Sequence, residues 1–224
     1  ISQQLKDAIR SATIVGVPRK KQRTMHPLYD VVHKAINEFS LLSDKSLITD
    51  AAVHCYLQFS LLYRPILQNK DFIGIVTSRD LRKQLGQMFN INHVELYQIK
   101  GENKFPGSVL EDHYPERFEW LKNNITVPYQ GAVFFVGAGV LGKIYCNAIK
   151  EKGGIAIDVG AVFDAWANVK SRLKQPCFSF NNYQEIKEIE LADAIIRYNQ
   201  FIDLYDFDSP KAHLSDMNGS IKKW

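Results

Sequence analysis

The chain has 224 residues, of which 46% are hydrophobic, 23% charged and 12% aromatic. That is enough for one domain with a buried core and tight for two, and it excludes a disordered tail, a collagen and a coiled coil. The formal net charge of +4 is mildly basic, and its only dense run, Arg19, Lys20, Lys21 and Arg23, reads as a solvated turn rather than a nucleic-acid footprint.

No apolar run reaches the roughly 18 residues needed to cross a bilayer. The opening ISQQLKDAIR carries neither an initiator Met nor a secretory segment, so the chain reads as a piece of a longer polypeptide. Cys55, Cys146 and Cys177 are odd in number, widely spaced and set among apolar residues. They fit reduced core thiols, and hence a cytoplasmic setting, better than a disulfide framework or a metal cluster.

Short apolar runs alternate with longer stretches of helical period. In chain order the pattern predicts a strand over Ala12 to Val17, a helix over Leu28 to Phe39, a strand over Ser46 to Ala52 and a helix over Val53 to Leu67. A strand over Phe72 to Thr77, a helix over Arg79 to Met88 and a strand over Val94 to Ile99 follow. Gly101 to Pro115, with few aliphatics, reads as a long loop of the kind often given to function. Beyond it come a helix over Glu116 to Asn124, a strand over Ala132 to Val136, a helix over Lys143 to Lys152, a strand over Ile155 to Val159 and a helix over Val162 to Leu173. A last helix spans about Tyr183 to Tyr205. The expected fold is therefore α/β, a single domain over 1–206 with a polar tail at 207–224. Its strands, about six, form a mostly parallel, doubly wound, Rossmann-like sheet flanked by helices, because parallel strands need crossovers.

The most informative segment is GAVFFVGAGVLGKIYCNAIKEKGGIAIDVG, from Gly131 to Gly160. It reads as strand, glycine turn, helix, Gly-Gly break and strand. Gly137, Gly139 and Gly142 fit the G-x-G-x-x-G spacing, with Asp158 at the end of the second strand. Glycines permit a tight turn and a close backbone approach, and the free amides and dipole of the following helix attract an anion, usually phosphate. Gly137 to Lys143 also satisfies G-x-x-x-x-G-K, but Ile144 stands where a P-loop needs Ser or Thr, which leaves a magnesium site incomplete.

VGAGVLGK at Val136 to Lys143 and IAIDVGAVFDAWAN at Ile155 to Asn168 resemble the C-terminal half of GT-D-type glycosyltransferase-like domains from bacterial surface-glycan and glycoprotein gene clusters. Weaker echoes are TIVGVPRK at Thr13 to Lys20 and FIGIVTSRD at Phe72 to Asp80. The resemblance implies transfer of a sugar from a nucleotide-sugar donor to a glycan or lipid-linked glycan acceptor near a membrane, with a divalent metal, manganese or magnesium, assisting the diphosphate. It also implies an Asp-x-Glu motif for metal and donor. No such tripeptide occurs between Ile1 and Trp224. Either it lies upstream of Ile1 or the chain is a divergent member, so no metal ligand is assigned.

On this reading the amides of Gly137 to Gly142 face the donor phosphates and Lys143 neutralises charge, or Lys143 is simply the first exposed residue of its helix. Asp158 holds a sugar hydroxyl or acts in catalysis, or it caps the next helix, where Asp164 favours the dipole. His113, Glu116 and Arg117 at the end of the long loop offer a proton acceptor and a phosphate fork, or they start a helix with Pro115. Arg79 is a substrate-binding candidate beside Asp80 at a strand end. Asp50 and His54 form a possible pair, though Asp50 as a helix cap and His54 against the sheet is the plainer reading. His26 and His33 lack a third ligand.

Two rival functions follow from the same residues. One is an NAD(P)-dependent oxidoreductase using the Gly137 to Gly142 turn and Asp158. The other is a non-catalytic accessory module of glycan assembly.

Overall fold

A computed structural model describes residues 1–18, 23, 27–43, 46–101, 112–169 and 189–204. Arg19 to Lys21, His26, most of the long loop, Cys177, the start of the last expected helix and the tail at 207–224 lie outside them. The elements are α1 (Ser2–Ser11), β1 (Ile14–Val17), α2 (Pro27–Glu38), β2 (Leu47–Asp50), α3 (Val53–Phe59), α4 (Tyr63–Leu67), β3 (Phe72–Thr77), α5 (Arg82–Phe89) and β4 (His93–Gln98). Then come α6 (Phe118–Asn124), β5 (Val133–Val136), α7 (Gly142–Glu151), β6 (Ile155–Asp158), α8 (Val162–Trp166) and α9 (Leu191–Leu204).

All six expected strands form, and every pairing among them is parallel. They are divided between a four-stranded sheet in the order β4-β3-β5-β6 and a separate pair, β1-β2, rather than joined in one sheet. The pleat explains the larger sheet. Ile73, Ile75 and Phe135 enter a core with Tyr63, Leu85, Phe89, Val162, Phe163 and Trp166 on one face. Val76, Phe134 and Val136 meet Phe118, Leu121, Ile144, Tyr145 and Ile149 on the other. Strands covered on both faces read as continuous apolar runs, which is the pattern of a parallel sheet.

Four helix boundaries differ from expectation for local reasons. The helix expected over Val162 to Leu173 ends at Trp166, where Asn168 takes a left-handed φ of 56° just beyond it. The helix expected over Val53 to Leu67 breaks in two, because Leu61 takes a left-handed φ of 62° and the Ser60 hydroxyl donates to the Tyr56 carbonyl at 2.7 Å. The one expected from Arg79 begins at Arg82, because Thr77 Oγ1 and Asp80 Oδ1 accept the Arg79 and Arg82 amides in turns. The helix expected from Glu116 runs regularly only from Phe118, after a kink at the extended Tyr114. Helix α1 falls outside the expected elements. Its half-buried Leu5 and buried Ala8 lie on one stripe, and Leu5 packs on the core that α7 helps to form. Lys150 and Asn147 of α7 hydrogen-bond to Ser11 at the end of α1.

Candidate functional site

The chain leaves β3 for β4 on one side and later returns to place β5 and β6 on the other. The strand order therefore reverses between β3 and β5. Open α/β sheets bind ligands in the crevice beyond the carboxyl ends of the strands at such a switch point. Here those ends are Thr77 to Arg79 and the glycine turn that starts at Gly137, and the Gly137 amide donates to the Val76 carbonyl at 2.8 Å.

The glycines of the turn have different work. A Cβ on Gly137 would lie 2.6 Å from the Phe163 ring and 2.8 Å from the Gly160 carbonyl, so this glycine lets two strand ends and α8 pack together. Gly139 is exposed, has a φ of 59°, and a Cβ there would meet nothing within 4 Å. It supplies a left-handed bend and leaves open space above the turn. Gly142 opens α7 against Val136 and Asp158.

Lys143 lies in the first turn of α7. Its ammonium is 2.6 Å from Asp158 Oδ2 and donates to the Gly139 carbonyl at 3.3 Å, so the cation is drawn back over the glycine turn. Asp158 Oδ1 accepts the Gly160 amide at 3.0 Å. Asp158 is thus both the expected carboxylate at the strand end and the cap of the turn into α8.

His54 joins this cluster from α3. A Cβ on Gly160 would lie 4.0 Å from His54 Nε2, which places the ring over the β6 to α8 turn. Burial pushes the His54 pKa down, against the upward pull of Asp158 and Asp50, while Lys143 adds a further push down. The ring is therefore a neutral base set among two carboxylates and an ammonium. Asp50, buried at the end of β2, accepts the Ala52 amide in a tight turn ahead of α3; it does not cap that helix, whose N-cap is Ala52. Cys146 shares the field of Asp158 and Lys143, and burial pushes its thiol up to about 12, so it stays protonated.

Arg79 and the His113 group are engaged elsewhere. Arg79 Nε donates to Asp164 Oδ1 at 2.8 Å, and its side chain is only 9% exposed, which ties the end of β3 to α8. Asp80 pairs with Arg82 at the surface. His113 Nε2 and the Tyr145 hydroxyl are hydrogen-bonded at 2.9 Å with stacked rings, and burial lowers the His113 pKa. Arg117 donates through Nε and Nη2 to the Gln98 carbonyl at 3.2 and 2.9 Å, closing the end of β4 at the sheet edge opposite β6. Glu116 is exposed.

Sequence reasoning gave His54 the plainer role of packing against the sheet, and the structure places its ring over the Gly160 turn. The signal that could have pointed there is its place four residues after Asp50, just past a strand end in a parallel α/β pattern, where loops carry ligands.

Among the described residues no group of three or more His, Cys, Asp or Glu side chains could hold a metal ion. Asp158 is already neutralised by Lys143. Among the described residues the donors present do not fit a divalent cation.

A family model for the GT-D fold-like domain matches residues 1–166. The match covers most of the chain, which belongs to this family and has a glycosyltransferase-related fold. Comparison with curated proteins and with solved structures finds no match. No helix among the described residues is long and apolar enough to cross a membrane.

Proposed function

We propose that the chain transfers a sugar from a nucleotide-sugar donor to a surface or protein-linked glycan acceptor, on the cytoplasmic side where Cys55 and Cys146 remain free thiols. One observation carries this reading. At the switch point of a GT-D-like sheet, the open Gly139 bend leads into α7, and Lys143 leans over that bend. Helix N-terminal amides and an ammonium together suit a diphosphate.

The acceptor oxygen attacks the anomeric carbon, the bond from that carbon to the phosphate oxygen breaks, and the nucleoside diphosphate leaves with the electron pair. The amides of α7 and Lys143 take up the developing charge. The acceptor proton passes to His54, which burial keeps neutral and ready to accept it, and the carboxylate of Asp158 favours the imidazolium that results.

A nicotinamide dinucleotide is a weaker fit. Asp158, which would have to hold a ribose, has one oxygen on Lys143 and the other on the Gly160 amide.

A thermal-shift and calorimetry screen with UDP, GDP, CDP, CMP and TDP, and with NAD(P)(H), tests the reading, since a ligand of the folded state raises its stability. One nucleoside diphosphate should bind, and Lys143→Ala should weaken it about tenfold, or about 1.4 kcal/mol. Binding of NAD(P)(H) alone would overturn the transferase.

A further inference from the structure

Lys143 has two claims on one charge. The transferase reading gives its ammonium to the donor phosphates, yet that ammonium already lies 2.6 Å from Asp158 Oδ2 and 3.3 Å from the Gly139 carbonyl oxygen. A phosphate seated on the open Gly139 bend and the first amides of α7 must therefore compete with a carboxylate for the same cation.

We propose that the Lys143–Asp158 ion pair is a latch that the donor diphosphate opens: the ammonium passes from the carboxylate to the phosphates, and the carboxylate near His54 is unmasked only when the donor is in place. The inference rests on the transferase reading above.

The two partners are unequal, and this decides which of them moves. The Lys143 side chain is 48% exposed on a flexible four-carbon stem, whereas that of Asp158 is 23% exposed and is fixed by the Gly160 amide on its Oδ1. Asp158 Oδ2 is closed off from water and has no hydrogen-bond partner among the described residues, so Lys143 is the charge that offsets it. Opening the latch leaves that buried oxygen uncompensated. Only a ligand that holds the released ammonium more strongly than Asp158 does can shift the balance. A diphosphate brings several charged oxygens, and the helix amides fix them in place.

His54 registers the change. Burial is the main push on its pKa, downward; Asp158 and Asp50 pull it up, and Lys143 pushes it down. Cys146 lies in the same field, but burial keeps its thiol protonated and uncharged. Withdrawing the ammonium therefore removes a downward push and leaves the pull of Asp158, so the ring becomes a stronger base once the donor has bound. The order of events is donor first, proton transfer second.

The test is a double-variant cycle on the whole chain, with inorganic pyrophosphate and the nucleoside diphosphates as probes. In calorimetry, Asp158→Asn should bind the diphosphate about threefold or more tightly than wild type, because Asn can still accept the Gly160 amide but no longer competes for the ammonium. The same substitution made in Lys143→Ala should give a clearly smaller gain. In NMR titrations of the His54 ring, saturation with diphosphate should raise its pKa by more in wild type than in Lys143→Ala. An equal gain with and without Lys143, or an equal rise at His54, would mean that only the like charges of ligand and carboxylate are being felt, and overturns the latch. So does unchanged or weaker binding by Asp158→Asn with its melting temperature intact. Binding without either coupling sinks the latch and leaves the transferase standing, whereas failure of wild type and Asp158→Asn alike to bind any diphosphate sinks the transferase reading itself.

Discussion

The two sheets divide the work of the molecule. In β3 every residue from Ile73 to Thr77 is buried, whereas in β1 and β2 together only Asp50 is. Ile14, Leu47 and Ile48 of the small sheet are more than half exposed. A two-stranded ribbon is marginal by itself, so the four-stranded sheet with its two aromatic-rich cores must supply most of the folding free energy. The one buried residue of the smaller sheet is a carboxylate, Asp50.

This contrast sets the size of the expected effects. Trp166 is 1% exposed, packs against Tyr63, Phe89, Phe135 and Phe163, and donates its indole N–H to Gln58 at 3.1 Å. Trp166→Ala should cost about 3–5 kcal/mol in urea unfolding. Leu47→Ala, on the outside of β2, should stay within about 0.5 kcal/mol. Comparable losses from the two would break the division of labour.

Next in size is Arg79→Ala. Removing one partner of a buried ion pair leaves the other charge uncompensated, and since Asp164 keeps some contact with water the loss should be about 3 kcal/mol, at the low end for such pairs. The double variant Arg79→Met with Asp164→Leu should regain much of it. If Arg79→Ala instead leaves the unfolding midpoint unchanged and abolishes nucleotide binding, Arg79 faces substrate, as its place at a strand end suggested.

Much of this arrangement could be read from the residues. Six strands announced themselves because burial on both faces, or β-branched runs such as Ile14 to Val17, leaves a continuous apolar signature. The glycine turn and Asp158 were legible because each rests on local backbone geometry. What escaped depends on contacts distant in sequence. Helix α1 is anchored by α7 through Ser11 and Lys150, 139 positions apart. Arg79 is turned inward by Asp164, 85 positions away. The division into two sheets, and the meeting of His54 with the Gly160 turn, are likewise tertiary, and no periodicity encodes them.

The smallest effect concerns pH, and it separates the two histidines. Burial lowers the pKa of both His54 and His113 below the ordinary 6.5. Each folded pKa lies beneath its unfolded value, so the unfolded chain binds more protons as pH falls through this window. The stabilisation from a neutral buried ring is therefore present above about pH 6.5 and is lost as pH drops through the folded value. Melting temperatures followed from pH 8 to 5 should decline below about 6.5, and His54→Gln and His113→Gln should each flatten part of that decline. Their kinetics should differ. His113 spends its Nε2 on the Tyr145 hydroxyl, so His113→Gln should alter stability and leave turnover within a few fold. His54→Gln should remove the acid limb of the rate profile, and most of the rate with it. Should His113→Gln be the variant that silences turnover, the base stands at the end of the long loop, and the cluster around Asp158 serves only to bind.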